Sequence, residues 1–267
     1  NDKKPFQIRE FYVLSTLAPS LNLSFDAEEL PFSVKPEKKV SVQDIMKFFR
    51  ETYEGTQWDM TKNLMITIKK KDANGNDIEE KVKSPMASNW INNDWRTLIN
   101  ELKPGTIERQ RTIAITACSY SHVIQCRSWL PDEVGGITWF AFDNPGQSPK
   151  IPIFSGVLKL PQSFSICGQQ RYRKDAAIWS FREANRLATV NWSRSRTLME
   201  PAVIEFEKKA IDELPAVENK VKALVKEGKN DEAKNYITAY TNSFANSAMA
   251  KWEEMKVTLW GMYGRGF

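Results

Sequence analysis

The run Ser121-His122-Val123-Ile124-Gln125-Cys126-Arg127-Ser128-Trp129, followed closely by Gly136-Ile137-Thr138-Trp139-Phe140-Ala141-Phe142, decides the fold class. Both segments are rich in β-branched and aromatic residues, which suit a pleated, half-buried surface. Residues 112–118 ahead of them and 151–160 after them read as further strands, the last one broken by Pro152 and Gly156. The connections are too short for the helical crossovers that parallel pairing needs, so an antiparallel sheet is expected.

One face of the 121–129 strand carries Val123, Gln125, Arg127 and Trp129. Arginine brings a permanent charge and a rigid fork of donors, which suits a carboxylate or a developing oxyanion. It suits a structural ion pair with a helix equally well. His122 shares a face with Cys126, but four residues span ~13 Å at strand rise, so the two do not pair directly. Cys118 and Cys126 read as small buried hydrophobes. Cys167 precedes the basic cluster Gln169-Gln170-Arg171-Tyr172-Arg173-Lys174, which reads as an anion site or a solvated helix lead-in.

The loop Asp143-Asn144-Pro145-Gly146-Gln147-Ser148-Pro149 leaves a strand end, a common place for binding groups. There Asn144 either offers its amide to a carbonyl oxygen or serves only an Asn-Pro turn. Beyond Pro161 the apolar spacing becomes helical. Ile178, Phe181, Ala184, Leu187 and Ala188 mark one helix within 175–198. Glu200-Pro201 restarts a helix that runs to about residue 214, with proline in the first turn. A short one covers 215–226, and Gly228 ends it. A long last helix carries the stripe Tyr236, Tyr240, Phe244, Ala248, Trp252, Met255 and Leu259, capped by Asn230 or Asp231.

Upstream, Ser41 and Asp44 form a capping pattern ahead of Val42, Ile45, Met46, Phe49 and Tyr53, with Gly55 as the stop. Residues 6–17 mix polar residues with the β-formers Phe6, Ile8, Phe11, Tyr12 and Val13. Around Asn74-Gly75 a charged hairpin is expected near 64–83, with a two-residue type I′ turn. A short helix covers 95–102. Strands followed by helices point to an α+β fold, with helices on one face of a mostly antiparallel sheet. The expected division is a sheet-containing part over 1–165 and a helical region over 166–267.

Several function classes are excluded by composition. One histidine and three scattered cysteines among 267 residues argue against a zinc site and a disulfide framework. With 38 basic and 33 acidic residues, charge is nearly balanced and nucleic acid is not an expected partner. No run approaches the ~20 apolar residues of a membrane span. The polar start Asn1-Asp2-Lys3-Lys4-Pro5 is not followed by the apolar core of a signal peptide, which leaves the compartment unread.

The run from Ser121 through Arg127, with Leu130-Pro131, Gly135-Gly136 and Trp139, resembles the C69 family of dipeptidases. Asn144-Pro145 and Pro152-Ile153-Phe154-Ser155-Gly156 continue the likeness. Upstream, Leu17-Ala18-Pro19-Ser20-Leu21, Leu30-Pro31-Phe32-Ser33-Val34-Lys35-Pro36 and the run from Tyr53 to Thr61 also look like that family. The resemblance implies an αββα sandwich of the N-terminal-nucleophile hydrolases. It also implies a cysteine at a mature N-terminus that attacks a peptide carbonyl, with its own α-amino group as base. This chain begins at Asn1, and its three cysteines do not match that position.

The expectation is therefore a C-terminal portion of a cysteine dipeptidase, either a processed subunit or a shortened chain, inactive alone. Its expected partners are a small peptide substrate and the N-terminal half of the same enzyme, with homo-oligomers allowed, and no cofactor or metal is expected. Arg127 is placed near the substrate carboxylate or oxyanion, Gln125 and Asn144 as polar positioners, and His122 as structural. The rival readings are a non-peptide acyl amidohydrolase and a non-catalytic binding module.

Overall fold

The computed structural model describes residues 6–264 and has an α+β architecture. It falls into two compact units, residues 1–115 with 191–193, and residues 116–190 with 194–267.

The first unit opens on helix α1, Ile8–Leu17, although residues 6–17 are rich in β-formers. End chemistry and spacing prevail here over propensity. The Gln7 N–H donates to Glu10 Oε2 at 2.9 Å, and Ile8 and Phe11 fall on one buried face. Phe11 meets Phe25 and Trp58 edge-on, each at 5.4 Å between centroids. Helix α2, Val42–Phe49, carries the expected cap. Asp44 N–H donates to Ser41 Oγ at 3.1 Å, and Ser41 N–H donates to Asp44 Oδ2 at 2.9 Å. The helix stops at Arg50, well before Gly55. Tyr53 lies outside it with φ of 62° and is fully buried.

Strands β1, Met65–Lys71, and β2, Asp77–Lys83, form the charged hairpin. Its turn is not type I′. Asp72 N–H donates to Asn76 O at 2.9 Å and Gly75 N–H donates to Asp72 O at 3.0 Å, and only Gly75 has positive φ. This is a three-residue loop, a type I turn closed by a left-handed glycine. The Asp72 carboxylate selects it by accepting the Asn74 and Asn76 amides, each at 2.8 Å. Helix α3 spans Asn93–Leu102.

The second unit holds a three-stranded antiparallel sheet, β3 (Tyr120–Cys126), β4 (Gly136–Phe142) and β5 (Ile151–Phe154), in that order. Register pairs Val123 with Trp139 and Trp139 with Pro152. Pro152 is tolerated because β5 is an edge strand. A four-residue helix, α4 (Asp132–Gly135), links β3 to β4. The segment 112–118 is not a strand despite its composition. Its backbone is tied to groups outside any ladder, as where Trp90 Nε1 donates to Ala114 O at 2.8 Å.

Helices α5 (Ala177–Ala188), α6 (Trp192–Lys226) and α7 (Asn230–Tyr263) complete the chain. The two helices expected on either side of Pro215 are one, and the break expected at Pro201 is absent as well. Met199, Val203, Ala210, Val217, Val221 and Leu224 form a buried stripe that passes both prolines, and packing along it outweighs the lost backbone bonds. Gly228, at φ of 73°, ends the helix as expected. Helix α7 has Lys229 at its N-cap with no side-chain cap, so neither Asn230 nor Asp231 caps it. Its stripe Phe244, Ala248, Trp252, Met255 and Leu259 is buried, and Thr241 Oγ1 donates to Pro152 O at 3.1 Å. Among the described residues, no helix is long and apolar enough to cross a membrane.

Candidate functional site

Strand β3 alternates burial, with Ser121 and Val123 inward and Tyr120, His122, Ile124 and Cys126 outward. Gln125 lies in the inner row, where its Oε1 accepts from Trp139 Nε1 at 3.1 Å. His122 sits on the outer face, its ring stacked on Tyr120 at 5.9 Å, and Tyr120 in turn stacks on Phe140 at 5.6 Å.

Arg127 follows β3, and its N–H donates to Gly135 O at 2.8 Å, closing the connection through α4. The side chain is 7% exposed. Its guanidinium pairs with Glu218 of α6 and donates to Val134 O, so the ion pair with a helix is formed. One buried donor, Nε, has no hydrogen-bond partner. Gly156 supports the same corner, because a Cβ there would come within 2.8 Å of Glu133 O.

Residues 143–150 are all buried, which is unusual for a loop. Asp143 N–H donates to Ser119 O at 2.9 Å and φ at Asp143 is 57°. The Asp143 carboxylate accepts from Arg182 Nε at 2.6 Å and from Asn185 Nδ2 at 3.0 Å. Asn185 Nδ2 also donates to Ser148 Oγ at 2.9 Å, and Asn185 Oδ1 accepts from Trp252 Nε1 at 3.0 Å. Within the loop, Asn144 Nδ2 donates to Gln147 Oε1 at 2.8 Å and Asn144 Oδ1 accepts the Gly146 N–H at 3.0 Å. The fully buried Asn144 is thus held by its own loop.

The structure therefore sets Arg127, Gln125 and Asn144 in separate hydrogen-bonded settings, and His122 on the other face of the sheet. Sequence reasoning missed Asp143, Arg182 and Asn185. A signal existed in α5, because Asn185 interrupts the apolar row of Phe181 and Ala188, and a polar residue there needs a buried partner.

The thiols are not paired with a base among the described residues. Cys118 Sγ donates to Tyr120 O at 3.1 Å, and burial pushes its pKa up, against nucleophilic use. Cys126 and Cys167 are exposed. Among the described residues, no group of three or more His, Cys, Asp or Glu is placed to hold a metal ion.

A family model for peptidase family C69 matches residues 1–207. A protein of Latilactobacillus sakei described as a probable dipeptidase is 21% identical over 250 residues, covering 87% of this chain and 45% of that protein. The chain spans less than half the length of that curated relative. The family match covers well over half of the chain and includes β3, α4, β4, β5 and the buried loop, so the chain belongs to peptidase family C69.

Proposed function

We propose that this chain is the C-terminal portion of a dipeptidase that cleaves small peptides through a cysteine nucleophile carried by sequence upstream of it. The family match over residues 1–207, together with the dipeptidase relative, carries this reading. In it, the α-amino group of the upstream cysteine takes the thiol proton and the thiolate attacks the scissile carbonyl; the resulting ammonium returns that proton to the departing amine as the C–N bond breaks, and water then hydrolyses the thioester to a carboxylic acid and the free thiol. The three-stranded sheet is one layer of an αββα sandwich. Its outer face, with Tyr120 53% and Ile124 65% exposed, packs against the upstream half.

Arg127 lies near the substrate carboxylate or oxyanion in this reading. Its unpartnered, buried Nε supports that role, because such a donor is costly unless something accepts from it. Gln125 and Asn144 are polar positioners in this reading, each held by its own partner, Trp139 and Gln147.

Co-expression of this chain with the upstream half of the same gene product, followed by a dipeptide hydrolysis assay, tests the reading. Activity is expected only in the reconstituted protein. It is expected to fall at least tenfold with Arg127→Lys, which keeps the charge but loses the planar fork. No hydrolysis by either preparation would favour a binding module. Hydrolysis of acyl amides alone would favour the amidohydrolase.

A further inference from the structure

Helix α3 presents its apolar side outward. Trp95, Leu98 and Leu102 follow one another at three and four residues, so they form one stripe along the helix. They are 55%, 47% and 81% exposed, and no residue of the helix is buried. The helix is held from another side. Asn100 Nδ2 donates to Ile107 O at 2.8 Å, and Ile107 N–H donates to Asn100 Oδ1 at 2.9 Å. Arg96 and Ile99 are half-buried beside it. A helix of ten residues is marginal in water unless its apolar face is packed, and here that face meets solvent.

The two edges of the stripe differ in charge. At about 100° per residue, Asp94 and Glu101 fall on one edge, beside Leu98. Arg96 falls on the opposite edge, and Lys103 follows it two turns later at the C-cap. None of these four side chains makes an ion pair among the described residues. A two-fold axis parallel to the helix sets the acidic edge of one copy against the basic edge of the other, on both seams. Asp94 then meets Arg96 of the second copy, and Glu101 meets its Lys103, each offset by about 3 Å along the axis. An antiparallel pair would set acid against acid. It would also bring the half-buried sides of both helices, with the protein behind them, to the same side of the contact.

We propose that α3 is a contact between two copies of this chain, a parallel two-fold pair in which the Trp95, Leu98 and Leu102 stripes cover each other. Ten residues give about 15 Å of helix, so this contact falls below the ~1,200 Å² of a standard interface and makes a weak, reversible dimer. The inference uses only the first unit and stands independently of the dipeptidase reading.

Sedimentation velocity of this chain from micromolar to submillimolar concentration tests it. A monomer–dimer equilibrium is expected, and Leu98→Glu is expected to weaken it at least about tenfold by placing an unpaired carboxylate in the contact. Asp94→Lys with Glu101→Lys makes both edges basic, and Arg96→Glu with Lys103→Glu makes both acidic. Each double variant alone is expected to sediment as a monomer, and an equimolar mixture of the two to recover the dimer. Of the substituted positions, only Arg96 and Leu98 touch the rest of the chain closely enough to need a folding control, which circular dichroism provides. A wild-type chain that stays monomeric throughout overturns the proposal. So does self-association that survives Leu98→Glu, which would place the contact on another face, and so does a mixture that stays monomeric. A monomeric wild type whose Leu98→Glu variant no longer co-purifies with the upstream half would give the stripe to that half instead.

Discussion

In the β1–β2 hairpin nearly every side chain meets solvent, whereas β3 and β4 alternate buried and more open rows and β5 is mostly buried. Both are short antiparallel ladders, so backbone bonding does not distinguish them. The hairpin is held by its turn and by charges. Lys70 pairs diagonally with Glu80 at 2.5 Å, and Lys83 at the end of β2 reaches Asp59 at 2.7 Å. The three-stranded sheet is held by burial. Trp139 at its centre is fully buried, and the loop after β4 is locked by Asp143, Arg182 and Asn185. An isolated hairpin is marginal in water, so the first ladder depends on its anchors and the second on its covered face.

The largest test of this contrast is Trp139→Ala. It should cost about 3–5 kcal/mol in urea unfolding, since it leaves a cavity under the sheet and strips Gln125 of its donor. A cost under 1 kcal/mol would remove burial as the main support of β3–β5. Arg182→Ala comes next, at about 3 kcal/mol, because it leaves the wholly buried Asp143 carboxylate without its cation. Unchanged unfolding would mean that Asn185 alone satisfies Asp143.

Lys83→Met probes the hairpin anchor and should cost about 1.5 kcal/mol at neutral pH. Burial would raise the Asp59 pKa. The hydrogen bonds from Lys83, Thr61 and Gly55 outweigh it and hold the carboxylate below its ordinary 3.8. The folded pKa is therefore depressed. This contribution is present above the unfolded value and is lost as pH falls through the folded pKa, below 3.8. Acid titrations of the wild-type chain and Lys83→Met should converge there, and parallel curves would show that Asp59 is not the linked group. Gly75→Ala should cost about 1 kcal/mol, since φ of 85° strains any side chain. Lys70→Ala should change stability by about 0.5 kcal/mol or less, and raised salt should erase even that.

Much of the local structure was legible because short-range chemistry decides it. The Ser41–Asp44 cap, the 136–142 strand, the hairpin arms and the Gly228 stop each depend on residues within a few positions. Two misreadings lie where long-range packing wins: the 112–118 run has strand composition and no ladder partner, and α6 passes two prolines along one buried stripe. The hairpin turn and the α7 cap were misread locally. The candidate site was half legible. The sequence marked Gln125, Arg127 and Asn144 as polar groups in a strand-rich region. Their partners Trp139, Glu218 and Gln147 lie 14, 91 and 3 residues away, and only the nearest of these falls within the reach of turn chemistry.

By itself the sequence determined an α+β chain with an antiparallel sheet and a C-terminal helical region. Alternation, caps and turn residues act over a few positions, so those features are readable without knowledge of tertiary contacts. Only the tertiary structure decided what each polar group faces. A buried donor takes whichever acceptor the fold brings to it, and for Arg127 that acceptor is a helix carboxylate far along the chain.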